Sequence, residues 1–308
     1  MLSGALGGGN GVSAVLETEG LTKRYRRQNA LTECSLEIPA GHVVGLVGPN
    51  GSGKSTLLNL AAGLIKPTSG TLRVLGQPPA DGPTQLSKVG FVAQNTPTYA
   101  ALSVNDHLRF GAHTNPGWDH SLAERRINQL GLDLKRRAGK LSGGQRAQLA
   151  LTLAIAKRPE VLILDEPVAA LDPLARREFL QILMETVADH QVSVILSSHL
   201  VADLERVSDY LVILISSRVQ LAGEGEELLA SHHRLIGPRE SVSASPENQV
   251  VIDSSFTDRQ STLLVRSDGP ITDPAWTVEA VSLDDLVLGY MSQGKRGDHS
   301  SATSEDSK

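Results

Sequence analysis

One glycine-rich stretch of the chain has the residue types and spacing of a phosphate-binding loop. Its residues are Gly48, Pro49, Asn50, Gly51, Ser52, Gly53, Lys54, Ser55 and Thr56. In such a loop the backbone N–H groups point at phosphate oxygens, the lysine reaches the β- and γ-phosphates, and the next hydroxyl ligates Mg²⁺. The alternative is a glycine-rich turn without a ligand. The apolar run before the loop and the helical composition after it favour a nucleotide site.

Two adjacent carboxylates follow the apolar run Val161–Leu164. At the carboxyl end of a strand in a parallel sheet, such side chains face the edge where ligands bind. We expect Asp165 to hold Mg²⁺, partly through water, and Glu166 to polarise a water molecule for in-line attack on the γ-phosphate. The alternative is a pair of solvated acids ahead of the turn at Pro167.

A second glycine-rich stretch precedes a predicted helix. It consists of Leu141, Ser142, Gly143, Gly144 and Gln145. A helix that begins in this way presents free backbone N–H groups to an anion. Serine is also a preferred N-cap, so an ordinary capped helix is the alternative.

The elements that must position these residues alternate between strands and helices. Apolar clustering predicts strands at 15–19, 35–38, 43–47, 71–75, 89–93, 161–164 and 192–196. Helices are predicted at 55–64, at 104–157 with breaks at 113–118 and at 139, and at 173–188. The near-continuous apolar strands are typical of a parallel sheet that is covered on both faces. We therefore predict an α/β fold.

Composition narrows the function classes. The 308 residues carry a formal charge of −5, which gives no global basic field for binding nucleic acid. A single cysteine, Cys34, cannot form an intramolecular disulfide, as is typical of a reducing cytoplasm. The apolar runs are far shorter than the roughly 20 residues of a membrane-spanning helix, and no signal peptide is recognisable. We expect a soluble protein that acts at a membrane only through another chain.

Over about Val15 to Ala222 the combined motifs resemble the ATP-binding cassette (ABC) ATPases, in which Leu-Ser-Gly-Gly-Gln is the diagnostic signature. The resemblance implies a P-loop NTPase cassette, with a mainly parallel core sheet, an antiparallel β subdomain and an inserted helical subdomain. It also implies an ATP-dependent pair of cassettes, expected to be a homodimer, that encloses two ATP molecules head to tail. Ser142 and the N–H groups of Gly143 and Gly144 would then contact the γ-phosphate bound by the partner's Lys54.

The resemblance assigns four further site residues. Gln94 corresponds to the glutamine at the Mg²⁺ and water site, and His199 to the histidine that contacts the γ-phosphate. Asp172 corresponds to the aspartate whose loop crosses the dimer interface, and Tyr25 to the aromatic residue that stacks on adenine. Without the resemblance, His199 is readable as a structural histidine, Gln94 as a surface amide and Tyr25 as a ring packed in the core.

Composition divides the chain into segments. We predict a disordered leader at 1–13 and an ABC ATP-binding domain at 14–230, with its helical subdomain at about 97–158. A linker rich in His, Ser and Pro follows at 231–247. A small C-terminal α+β appendage at 248–292 has predicted strands at 250–252 and 262–266 and a helix at 282–291, and a disordered tail is predicted at 293–308.

The resemblance implies an ATP-hydrolysing subunit that powers a separate transmembrane permease from the cytoplasmic face of the cell membrane. Residues 95–108 are the candidate contact surface for that permease. The segment 282–288 resembles the ATPase subunits of ABC-2-type exporters, so export of a drug, antibiotic, peptide or lipid-like cargo is the favoured direction. The alternatives are an importer ATPase with a C-terminal regulatory domain, a soluble cassette protein of translation or DNA repair, and a scaffold that binds ATP without hydrolysing it.

Overall fold

The computed structural model describes residues 14–96, 98–239 and 249–302, with the side chains of the last helix described as far as residue 293. The predicted disordered leader at 1–13 lies outside the described residues. The strands are β1 (Ala14–Tyr25), β2 (Gln28–Pro39), β3 (Val43–Val47), β4 (Ser69–Val74), β5 (Val89–Val92), β6 (Val161–Asp165), β7 (Ser193–Ser198), β8 (Tyr210–Ile215), β9 (Arg218–Glu224), β10 (His232–Pro238), β11 (Gln249–Phe256), β12 (Gln260–Ser267) and β13 (Thr277–Ala280). The helices are α1 (Lys54–Ala61), α2 (Gly82–Lys88), α3 (Val104–Thr114), α4 (His120–Gln129), α5 (Gly143–Ala156), α6 (Pro173–His190), α7 (Val201–Leu204), α8 (Gly225–Ser231) and α9 (Leu283–Ala302), and a 3₁₀ turn spans Ala138–Lys140.

A six-stranded sheet forms the centre of the molecule, in the order β5-β6-β7-β3-β8-β9. The first five strands of this order are parallel, and β9 is antiparallel to β8. All residues of β3, β6, β7 and β8 are buried, as their apolar runs predict for strands covered on both faces. The predicted α/β fold with a mainly parallel core sheet is confirmed.

A three-stranded antiparallel sheet, β2-β1-β4, covers one side of the core. Strands β1 and β2 extend well beyond the predicted strands at 15–19 and 35–38, because they pair with each other up to a turn at Arg26 and Arg27. Leu57 and Leu58 of α1 lie in the apolar cluster shared by this sheet and the central sheet. This packing fixes α1 beneath the glycine loop.

The helices α3, α4 and α5 form a subdomain around their own apolar cluster, which includes Leu108, Ile127 and Leu149. The two breaks predicted in this region correspond to the end of α3 at Thr114 and to the 3₁₀ turn before α5. The α5 end of the subdomain carries the second glycine-rich stretch.

The C-terminal part is a four-stranded antiparallel sheet, β11-β12-β10-β13, with α9 packed on it. The linker predicted at 231–247 is wrong for His232–Pro238, which forms the inner strand β10. The strand forms despite its polar composition because Leu235 is buried in a cluster with residues of β12. Ser231 of that predicted linker ends α8, and residues 240–247 lie outside the described residues.

Helix α9 also packs on the central domain. Leu286, Val287 and Tyr290 belong to the same buried cluster as Leu204 of α7 and Leu211 of β8. The disordered tail predicted at 293–308 is wrong up to Ala302, because the helix continues from its packed turns through a stretch that has no proline. Residues 303–308 lie outside the described residues. In the described residues, no helix has the length and apolar character needed to cross a membrane.

Candidate functional site

The glycine loop connects the buried strand β3 to α1, as predicted. Gly53 adopts a φ of 108°, and a Cβ atom there would lie 2.8 Å from a methyl carbon of Leu31. A Cβ atom at Gly48 would collide with the carbonyl oxygen of Leu214 on β8. Only glycine fits at these two positions, so the loop closes tightly over the N-terminus of α1, where backbone N–H groups favour an anion.

Lys54 is the first residue of α1, and its side chain is buried. Its ammonium group donates hydrogen bonds to the carbonyl oxygens of Gly48, at 2.8 Å, and Pro49, at 3.2 Å. Burial lowers the pKa of Lys54 from its ordinary value, and the nearby carboxylates of Glu166 and Asp165 oppose that shift. The loop therefore holds one cation at the point where it turns into the helix.

Ser55 and Asp165 bring the loop and β6 together. The Ser55 hydroxyl donates to Asp165 Oδ1 at 3.1 Å. Hydroxyl, carboxylate and amide oxygens are the ligand types that Mg²⁺ prefers, and it usually keeps several waters and binds substrate phosphates as well. Within the described residues no cluster of three or more His, Cys, Asp or Glu side chains is able to hold a metal alone. This donor set fits Mg²⁺ bound together with a nucleotide.

Three predicted site residues lie close to the carboxylate of Glu166. Its Oε2 lies 3.1 Å from His199 Nδ1 and accepts a hydrogen bond from Gln94 Nε2 at 3.4 Å. Its Oε1 lies 3.7 Å from Lys54 Nζ. The carboxylate is buried, and its partners come from the ends of β5 and β7 and from the loop. A base in this position can accept a proton from a water molecule at the mouth of the site.

Sequence reasoning missed Ser197 on β7. This residue lies beside Asp165 in the parallel register of β6 and β7, and it is fully buried. Its hydroxyl donates to Asp165 Oδ1 at 2.8 Å and accepts from the N–H of Glu166 at 2.8 Å. The available signal was the pair of serines immediately before His199, which carries information only once the strand register is known.

An open cleft of about 630 Å³ lies above the loop, a volume typical of small-molecule sites. Tyr25 lines one end and is 48% exposed, with the ammonium of Lys23 at 5.1 Å from the ring centroid. About half of the Tyr25 side chain is exposed at the cleft, and its stacking on adenine, which the resemblance implies, stays a prediction. The predicted residues in the cleft wall are Tyr25, Asn50, Gly51, Gly53, Lys54, Ser55, Thr56, Gln94, Glu166 and His199.

The second glycine-rich stretch begins α5 and does not line this cleft. Ser142 caps the helix by accepting from the N–H of Gln145 at 3.1 Å, and the Gln145 amide oxygen accepts from the N–H of Ser142 at 3.1 Å. In this capping box the hydroxyl oxygen of Ser142 is an acceptor, so its proton remains available for donation.

Asp172 also lies outside the cleft wall. It caps α6 by accepting hydrogen bonds from the N–H groups of Leu174 and Ala175. A Cβ atom at Gly144 would lie 3.0 Å from the Cβ of Ala175, so the start of α5 is next to the start of α6. The predicted residues therefore form two sites within one chain. The remaining predicted residues of the loop and of β6 do not line the cleft; they are Gly48, Pro49, Ser52 and Asp165.

Comparisons with known proteins agree with this arrangement. A protein-family model described as ABC transporter matches residues 31–169. The uncharacterized ABC transporter ATP-binding protein YxlF of Bacillus subtilis (strain 168) is 34% identical over 220 residues, which are 70% of this chain and 72% of that protein. The probable sulfate/thiosulfate import ATP-binding protein CysA of Chlorella vulgaris is 36% identical over 217 residues, which are 68% of this chain and 91% of that protein.

Solved structures show the same fold. An ATP-binding subunit of an ABC transporter superimposes with a TM-score of 0.63 at 30% identity, over 70% of this chain and 92% of that one. A dimeric ATP-binding cassette in a post-hydrolysis state, bound to ADP and phosphate, superimposes with a TM-score of 0.60 at 25% identity, over 68% of this chain and 98% of that one. The family match at 31–169 spans the glycine loop, the helical subdomain and β6.

Proposed function

The chain belongs to the ATP-binding subunits of ABC transporters, which are ATPases, and from this premise we propose that ATP hydrolysis in the cleft drives a separate transmembrane permease. The observation that carries the proposal is the position of Glu166, whose carboxylate lies within 3.7 Å of Lys54 and 3.1 Å of His199. A phosphate-binding cation, a base and a partner for the base thus lie together at the carboxyl ends of the parallel strands.

In this proposal the glycine loop and Lys54 bind the β- and γ-phosphates, and Tyr25 stacks on the adenine. Ser55, Asp165 and Gln94 are the residues that would hold Mg²⁺. When bound, the ion neutralises negative charge on the phosphate oxygens. The hydrogen bond from the Ser55 hydroxyl to the Asp165 carboxylate holds these two groups next to each other.

Glu166 is the proposed general base. Its carboxylate accepts a proton from the attacking water while the bond between the γ-phosphorus and the bridging oxygen breaks, and ADP leaves with phosphate as the second product. His199 and Gln94 orient the carboxylate, because both lie within hydrogen-bonding reach of its Oε2 atom. In this proposal His199 also contacts the γ-phosphate.

The second site supports a head-to-tail homodimer that forms with ATP. Ser142, Gly143 and Gly144 begin α5 away from their own cleft, so within one chain they contact no nucleotide there. A second copy that presents this helix N-terminus to the γ-phosphate would complete each site. The dimeric cassette among the similar structures is consistent with this arrangement. Asp172, which lies next to the start of α5, belongs to the same interface.

The permease contact is proposed on the arm that follows β5, which comprises the predicted contact surface at 95–108 and the adjoining residues of α3 up to Phe110. Tyr99 and Phe110 are 62% and 52% exposed, and their rings meet edge to face with centroids 6.0 Å apart. His107 fixes this arm, because its Nε2 accepts from the N–H of Tyr99 at 3.0 Å. Aromatic rings held in place at a surface are typical of protein interfaces. We place the subunit on the cytoplasmic face of the cell membrane through this contact.

Export is our first hypothesis for the direction of transport, on the basis of the C-terminal segment at 282–288. It forms a capped helix start, in which the Ser282 hydroxyl and backbone N–H donate to the Asp285 carboxylate. Import is the second hypothesis, favoured by the relative named for sulfate/thiosulfate import. Transport by the co-purified permease and this chain in inverted membrane vesicles distinguishes them, since only an exporter accumulates its cargo inside such vesicles.

The test of the ATPase assignment compares Glu166→Gln with Glu160→Gln. Glu160 is a half-exposed carboxylate paired with Lys88 outside the cleft, so it controls for the loss of a charge. We expect Glu166→Gln to bind ATP, remain dimeric in ATP on size-exclusion chromatography and lose almost all turnover. Glu160→Gln should hydrolyse ATP like the wild type. Normal hydrolysis by Glu166→Gln would remove Glu166 as the base.

A further inference from the structure

The hydroxyl of Ser197 connects the two carboxylate residues that the proposed function assigns to different tasks. It donates to Asp165 Oδ1 and accepts from the N–H of Glu166, both at 2.8 Å. We propose that Ser197 is a positioning residue that fixes the carboxylate for Mg²⁺ and the backbone that carries the base in one arrangement. This inference rests on the proposed roles of Asp165 and Glu166.

The first half of the connection concerns the orientation of the Asp165 carboxylate. Its Oδ1 atom accepts from two hydroxyls, those of Ser197 and Ser55. The two donors come from different elements, β7 and α1, so the carboxylate cannot turn without breaking one of these bonds. Its other oxygen, Oδ2, is thereby left for a ligand or its water shell.

The second half concerns the backbone of Glu166. This residue has a φ of 44°, a left-handed conformation that is unfavourable for a residue with a Cβ atom. Surrounding interactions must hold such a residue in place. The bond from its N–H to Ser197 is buried and runs between neighbouring strands. The Glu166 carboxylate reaches Lys54 and His199 from this turn, so the same bond sets where the base lies.

The alternative is that Ser197 only satisfies a buried N–H group, with no influence on the site. Ser193, on the same strand, provides the comparison. It is also buried, and its hydroxyl accepts from the N–H of Gly41 at 2.8 Å, at the opposite end of β7 from the cleft. Removing the Ser197 hydroxyl leaves the buried N–H of Glu166 without this partner, and removing the Ser193 hydroxyl breaks the part-buried bond to the N–H of Gly41. Both substitutions therefore cost stability.

The experiment compares Ser197→Ala with Ser193→Ala and the wild type in the full chain. Three quantities are measured: kcat and KM for MgATP, the Mg²⁺ concentration for half-maximal rate at fixed ATP, and nucleotide affinity in EDTA. We expect Ser197→Ala to reduce kcat by about 10- to 100-fold, as for other partners of metal ligands, and to raise the Mg²⁺ requirement. Its affinity for nucleotide in EDTA should stay unchanged, because Ser197 does not line the cleft.

A hydroxyl-retaining variant separates positioning from packing. Ser197→Thr should recover most of the lost kcat. If thermal unfolding shows that the Ser197→Thr protein does not fold, Ser197→Cys takes its place and should recover part of the lost kcat, because a thiol is a weaker hydrogen-bond donor. A Ser197→Ala protein that matches Ser193→Ala in all three quantities would overturn the role of Ser197 alone. A wild-type chain without ATPase activity would overturn the proposed function, and this inference with it.

Discussion

The ammonium nitrogen of Lys54 lies 3.7 Å from Glu166 Oε1, and both side chains are almost closed off from solvent. In a site shielded from water, the two charges compensate each other more effectively than at a surface. A nucleotide phosphate that accepts hydrogen bonds from Lys54 would replace Glu166 as the partner of the ammonium. If Glu166 is the base, as we propose, binding of the nucleotide and release of the Glu166 carboxylate are connected through Lys54.

Replacement of this ammonium should weaken nucleotide binding. A hydrogen bond to a charged group contributes about 1.5–3 kcal/mol, so we expect Lys54→Ala to raise the Kd for ATP by roughly 10- to 100-fold in titration calorimetry. Lys157→Ala is the matched control, since Lys157 also donates to two backbone carbonyls, those of Leu86 and Val89. It should lower the Tm and leave the Kd unchanged. Unchanged affinity in Lys54→Ala would contradict the loop assignment.

Replacement of the capping hydroxyl of Ser142 should impair dimer formation beyond its effect on stability. Loss of an N-cap side chain costs about 1 kcal/mol. Ser282→Ala removes a serine from a similar capping box, at the start of α9, and measures that cost alone. We expect both variants to lose similar stability in denaturant unfolding. Only Ser142→Ala should lose the ATP-dependent dimer in the Glu166→Gln background, measured by analytical ultracentrifugation. Equal dimer formation in both would exclude a contact across the interface.

The buried His232 should make stability depend on pH. Burial lowers its pKa below the ordinary 6.5, and Arg266 and His233 add to that shift, while the bond to the Leu228 carbonyl opposes it. As the pH falls below about 6.5, the unfolded chain takes up a proton that the folded chain does not, so the free energy of unfolding decreases. The loss is at most about 1.4 kcal/mol for each pH unit until the folded pKa is reached.

Urea unfolding between about pH 7.5 and about pH 5.5 measures this dependence. His232→Gln should flatten the slope, because its side chain does not titrate in this range. His113→Gln replaces an exposed histidine on α3 and should keep the slope of the wild type. If the slopes of His232→Gln and the wild type agree, the acid sensitivity of the fold originates elsewhere.

Contiguous features of the site were predictable from sequence. The apolar run at 43–47 and the loop that follows it form β3 and the turn into α1, because short-range hydrophobic patterning and glycine spacing decide them. The run at 161–164 likewise forms β6, which ends one residue later at Asp165. Local chemistry is sufficient where strand, loop and helix follow one another directly.

Features that depend on pairing between distant segments were not predictable. The strand predicted at 192–196 continues to Ser198, because Ser197 bonds to Asp165 and its polar type is no obstacle in that register. Strand β13 has only four residues, all of them exposed, and it forms by pairing with β10. Predicting either strand end requires knowledge of its neighbour in the sheet.

The packing of α9 on β8 brings the C-terminal segment within one strand of the phosphate site. Strand β8 pairs with β3, and its Leu214 carbonyl lies directly against Gly48, where not even a methyl group fits. Leu286 and Tyr290 lie in one buried cluster with Leu211 of the same strand. The last helix of the chain and the first glycine of the loop therefore share β8 as a common packing partner.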